Sequence, residues 1–67
     1  MKYMLRKDVK VDFTNQRLIA KRLGIHEVTL SKILNKKSAT NKPTAFYITI
    51  LNGGTEKDIE KYFKEVK

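Results

Sequence analysis

Asn15-Gln16-Arg17-Leu18-Ile19-Ala20-Lys21-Arg22-Leu23-Gly24-Ile25-His26-Glu27-Val28-Thr29-Leu30-Ser31-Lys32-Ile33-Leu34-Asn35 carries two helical patterns that break at one glycine. In the first, Asn15 has the short polar side chain of a helix N-cap. Leu18, Ile19 and Leu23 are apolar behind it, and Arg17, Lys21 and Arg22 are basic. In the second, Leu30, Ile33 and Leu34 share the side to be buried. Glu27, Thr29, Ser31 and Lys32 are left facing outward, with Val28 at the boundary. Each half has about eight residues, too few for a helix to persist alone, so the two must pack on each other and on their neighbours. Ala20 is small where a second helix would cross the first. Gly24 accepts the left-handed backbone of a tight turn without the strain a side chain brings. Ile19, Leu23, Ile25, Leu30 and Ile33 fill the wedge between the halves.

Outward from this run, Pro43 suits a first helical turn, and Phe46, Tyr47, Ile50 and Leu51 form a helix-spaced apolar set that Asn52-Gly53-Gly54 ends. Ile48, Thr49 and Ile50 are β-branched and would also suit a strand, but the length favours a short helix. Thr55 can cap a further helix, with Asp58 three residues on, and Ile59, Tyr62, Phe63 and Val66 make one stripe along it. Tyr62 and Phe63 could face a second subunit, but in so small a chain they read as core. The first block is ambiguous. Leu5, Val9 and Phe13 have helical spacing, whereas Val9, Val11 and Phe13 alternate as a strand does. A short helix over about Lys2 to Lys10 is preferred, because a lone strand among helices would lack a partner. The resulting expectation is an all-α fold, a compact domain of four to five helices with a helix-turn-helix at about 15–35.

The chain of 67 residues makes one domain, 1–67, with a thin core. It has no cysteine, which removes disulfides and thiolate chemistry. The opening residues are charged too early for a signal peptide. The longest nearly apolar run, Ala45 to Leu51, is seven residues, far from a membrane span. A cytoplasmic location and no membrane partner are expected. With one histidine, no glycine-rich phosphate loop and no convincing carboxylate pair, enzymatic activity is not expected. Nor is a metal, a cofactor or a small-molecule ligand: His26 has no acid cluster beside it to make a metal site.

The net charge of +8 is unevenly placed. Residues 1–50 hold eleven Lys and Arg against three acids, while the last seventeen balance four against four. A basic face backed by a neutral element suits a polyanion, which gains by releasing counterions. Solubility alone would also explain the lysines, and charge by itself does not decide between the two readings.

At this point the residues Gln16 to Asn35 resemble the Cro and phage-repressor type of helix-turn-helix regulator, the lambda-repressor-like or XRE family. The resemblance is firm over the motif and loose elsewhere, since the first block lacks the clear amphipathic helix usual before it. It implies a double-stranded DNA operator as partner, read in the major groove by helix 27–34. His26, Glu27, Val28, Thr29 and Lys32 then fall where base-reading side chains sit. Lys32 suits guanine O6 and N7, Thr29 several bases, and Val28 a thymine methyl. Glu27 could accept from cytosine N4, but favours the helix start through the macrodipole. Asn15, Gln16 and Arg17 at the start of the first helix, and Asn35, Lys36 and Lys37 after the second, fall at phosphate-contacting positions, with Lys42 a plausible addition. The family implies transcription regulation by a repressor-like protein of a phage or mobile element, in a bacterial or phage-infected cell, as a homodimer on two half-sites. A helical hairpin with no groove-entering helix would use Ala20 and Gly24 equally well, but leaves the basic, polar outer face unexplained. Rival functions on the same fold are a protein-interaction module, such as an antitoxin or anti-repressor, and a recombination-accessory DNA-binding protein. Membrane-surface binding fits less well, because the charge is spread over a broad face.

Overall fold

The first block does find a strand partner, at the other end of the chain. In the computed structural model, which describes residues 2–11 and 13–66, β1 (Lys2–Leu5) pairs antiparallel with β2 (Phe63–Val66). The register sets Lys2 opposite Val66, Tyr3 opposite Glu65, Met4 opposite Lys64 and Leu5 opposite Phe63. On its other edge, Tyr3 exchanges two backbone hydrogen bonds of 2.7 Å with Thr40. β1 is thus held from both sides, with Tyr3 and Leu5 buried beneath it. Between the strands lie α1 (Gln16–Leu23), α2 (Glu27–Leu34), α3 (Lys42–Leu51), one 3₁₀ turn (Glu56–Asp58) and α4 (Ile59–Tyr62). The all-α, four- to five-helix expectation is therefore corrected: among the described residues the fold is mixed α/β, four helices with a two-stranded antiparallel sheet. No helix among the described residues is long and apolar enough to cross a membrane.

Two local expectations fail for the same reason. Where a helix over Lys2 to Lys10 is expected, the chain forms a strand at Lys2–Leu5 followed by a turn, and the single helix expected from Thr55 to Val66 stops at Tyr62. Thr55 and Asp58 do form the expected capping box, with the Thr55 N–H donating to Asp58 Oδ2 at 2.8 Å. That backbone bond, with the Lys61 ammonium 3.3 Å away, holds the Asp58 carboxyl below its ordinary range. At the other end of α4, however, Arg6 intervenes. Its backbone N–H donates to the Tyr62 carbonyl at 2.9 Å and its Nε to the Glu60 carbonyl at 2.6 Å. Those two carbonyls therefore accept from Arg6 and not from the N–H groups of a further helical turn, and Phe63 turns extended into the ladder. The stripe's residues still do the packing, with Ile59 and Phe63 buried and Tyr62 half-buried against them.

α3 begins as its sequence suggests, with Pro43 in the first turn and Asn41 Oδ1 accepting from the Thr44 N–H at 3.0 Å. Its inward face is not the expected one. Thr44, Ala45, Ile48 and Thr49 are buried, whereas Phe46, Ile50 and Leu51 are 36%, 45% and 41% exposed. Small and β-branched residues face inward because the chain returns tightly over them: the Gly54 N–H donates to the Thr49 carbonyl at 2.9 Å. The buried Thr49 hydroxyl is satisfied by the Ala45 carbonyl at 2.9 Å.

A side chain at Gly54 would collide with this turn, because its Cβ would lie 2.8 Å from Thr49 Cγ2 and 3.1 Å from the Thr49 carbonyl oxygen. Gly24 differs: nothing lies within 4 Å of its Cβ position, and only its φ of +72° argues for glycine. Gly24→Ala should therefore cost about 1 kcal/mol, from the left-handed backbone alone. Gly54→Ala should cost more, about 1–3 kcal/mol, because a packed interior must shift. Urea denaturation of the two variants checks the order.

Candidate nucleic-acid interface

α1 and α2 are built with matching ends. After α1, the Gly24 N–H donates to the Lys21 carbonyl at 3.2 Å and the Ile25 N–H to the Ala20 carbonyl at 3.0 Å. After α2, the Lys36 N–H donates to Ile33 at 3.1 Å and the Lys37 N–H to Lys32 at 2.8 Å. Both are Schellman closures around a left-handed residue, glycine in the first case and Lys36 with φ 64° in the second. Ala20 is 2% exposed at the helix crossing. Leu30 and Ile33 are fully buried, and Ile19, Leu23 and Ile25 pack half-buried around them. The wedge expected from the sequence is present, while Leu18 stays 42% exposed outside it.

This packing decides what α2 offers to solvent. Leu30, Ile33 and Leu34 are turned inward, so His26, Glu27, Val28, Thr29 and Lys32 are all exposed, Val28 to 57%. They lie on or just before one outward face of a rigid helix. Glu27 sits in the first turn, where the helix N-terminus favours a carboxylate, and His26 before it makes no side-chain cap. At the far end of the face, Asn35 Nδ2 donates to Ser31 Oγ at 3.3 Å. That bond brings in Ser31, four residues before Asn35, which is half-buried and not fully outward as its spacing suggests.

The flanking residues divide by freedom. Asn15 Oδ1 accepts from the Leu18 N–H at 3.3 Å and the Asn15 carbonyl from the Ile19 N–H at 3.2 Å. The N–H groups of Gln16 and Arg17 then lack helical acceptors, as at any helix start, and are suited to an anion. Arg17 is exposed and Gln16 half-buried. Arg17 and Lys21, one turn apart, line a shallow groove with Ala20, Ile25, His26 and Glu27, which brings a further cation, Lys21, to the start of the outer face. Lys37 is exposed. Lys36 is half-buried, and its ammonium donates to the Lys7 carbonyl at 3.1 Å, tying the end of the motif to the loop after β1. Lys42 stands at the start of α3 beside Phe46, Glu56 and Ile59.

The electrostatics are one-sided. The single ion pair among the described residues is Lys61–Asp58, within the part of the chain whose charges already balance. The cations around α1 and α2 form no ion pair among the described residues, so the surface they share has a positive potential available to an external anion. Comparison with protein-family models, with curated proteins and with solved structures found no match to this chain. The reading of the site rests on its own residues.

Proposed function

We propose that the chain binds double-stranded DNA sequence-specifically, with α2 in the major groove, and regulates transcription as a homodimer on two half-sites. The observation that carries this is the outward face of α2. Polar and small apolar side chains project from a packed helix, and unpaired cations stand at both ends. Groove reading needs that order: phosphate contacts fix the register and base edges are then read by rigidly held side chains. In this reading Lys32, Thr29 and Val28 read bases, Glu27 chiefly stabilises the helix start, and the α1 N-terminus with Arg17, Asn35 and Lys37 grips phosphates. Lys36 contributes charge while holding the end of the motif in place. The cytoplasm is the compartment such a regulator needs.

The test is selection of bound duplexes from random sequence, followed by titration of variants. Lys32→Ala should relax preference at one base pair, costing about 1–3 kcal/mol there, whereas Lys37→Ala should weaken all sequences alike. Failure to enrich any motif would overturn the regulator reading and favour a protein-interaction module. Uniform effects of both substitutions would remove α2 as the reading helix.

A further inference from the structure

We propose that the shallow groove where the turn after β1 meets β2 is a second phosphate-binding surface, which carries the duplex past the end of α2. The groove lies outside the helix-turn-helix, and its assignment to DNA rests on the reading of α2 above. β1 and β2 pair so that Lys2, Met4, Lys64 and Val66 alternate onto the face turned away from buried Tyr3, Leu5 and Phe63. The turn Arg6–Val9 follows, closed by the Val9 N–H on the Arg6 carbonyl at 3.1 Å. Between turn and sheet lies a groove of about 410 Å³. Half-buried Met4 and Val66 are its apolar part, and exposed Arg6, Lys7, Asp8 and Lys64 stand around them.

Three cations from opposite ends of the chain thus converge on one groove against a single acid, Asp8, and none of the four forms an ion pair among the described residues. Cations around an apolar floor suit a sugar–phosphate strand, whose phosphates take the charges while its deoxyribose carbons cover Met4 and Val66. Arg6 is anchored by its Nε on the Glu60 carbonyl, which leaves its terminal nitrogens for another acceptor. Continuity selects the duplex already held by α2 over an acidic peptide. The Lys7 carbonyl accepts from the Lys36 ammonium at 3.1 Å, so the turn adjoins the phosphate-gripping end of the motif. Lys36 keeps this place with a left-handed backbone, φ 64°, where the matching closure after α1 has glycine. A strained lysine whose amine crosses to the turn fixes that turn against the end of α2. Phosphates of one DNA strand follow each other at about 3.4 Å along the axis, so a strand gripped at Lys36 reaches Lys7 within a few nucleotides.

Fluorescence anisotropy of the full chain on a duplex of about 20 base pairs, over a salt series, tests the assignment. Replacing Lys7 and Lys64 together by alanine should weaken binding about tenfold or more near 0.1 M salt and flatten the logarithmic slope by about 2 per bound copy, for every sequence alike. Asp8→Asn should act in the opposite direction, tightening binding about two- to fivefold, because it removes the one repelling charge. All three residues are exposed, so the melting temperature should not move, and a gain in affinity cannot come from loss of fold. Arg17→Glu in the motif separates the two readings. If it weakens binding while the groove variants do not, the groove assignment falls and the α2 reading stands. If the groove variants weaken binding while Arg17→Glu does not, the groove remains a phosphate site and the α2 reading falls. A wild-type chain that binds no duplex overturns both. Binding of poly-glutamate that is lost in the double variant, with DNA binding unchanged, assigns the groove to an acidic peptide and overturns the proposal.

Discussion

Phe63→Ala is expected to remove about 3–5 kcal/mol of folding free energy, as truncation of a buried aromatic does when the surroundings cannot collapse. Phe63 is 1% exposed and stands where α4 becomes β2, opposite Leu5 in the ladder. Losing the ring opens a cavity beneath the sheet and loosens the only ladder that joins the two ends of the described chain. Stability near 0.05–0.15 kcal/mol per residue gives a domain of this size about 3–10 kcal/mol in all. The variant should therefore be partly unfolded at 37 °C. Urea denaturation followed by circular dichroism measures the loss. A value under about 1 kcal/mol would mean that β2 does not dock as described.

If the chain binds an operator as the dimer proposed above, that binding should fall about 10³-fold between about 50 and about 200 mM salt. Arg17, Lys21 and Lys37 in each head are exposed and make no ion pair among the described residues. Two heads neutralising about six phosphates give a logarithmic slope near −5, and a fourfold rise in salt then produces that loss. A charge-reversing change at one of the three, such as Arg17→Glu, should flatten the slope and weaken every sequence. Fluorescence anisotropy at a series of salt concentrations reads both. A slope near zero would show that the basic surface does not face DNA. A steep slope equal for all sequences would leave only non-specific binding.

The motif was legible in the sequence because everything that makes it is local. Asn15 caps the helix that begins beside it. Gly24 and Ile25 close the turn on carbonyls a few residues back. Ala20, Leu30 and Ile33 mark their buried sides by spacing alone. The outward positions of Glu27, Val28, Thr29 and Lys32 follow from the same period. The Thr55 and Asp58 capping box was equally local and equally readable. Lys21 escaped notice in the site because its role depends on a neighbour one turn away, although the four-residue interval to Arg17 was in view.

What the tertiary structure decided is pairing across distance and choice of face. Lys2 to Leu5 and Phe63 to Val66 each carry patterns that a helix could accept, and each becomes a strand only because the other is present to satisfy its backbone. Local periodicity cannot register a partner at the opposite end of the chain. α3 shows the other limit. Its periodicity named the stripe of Phe46, Tyr47, Ile50 and Leu51 correctly as an apolar face, but not what lies against it. The tight return at Gly54 packs directly on Thr49, so the core took the side bearing Ala45, Ile48 and Thr49. Spacing along a helix determines which residues act together, while their direction is set by the packing of the whole chain.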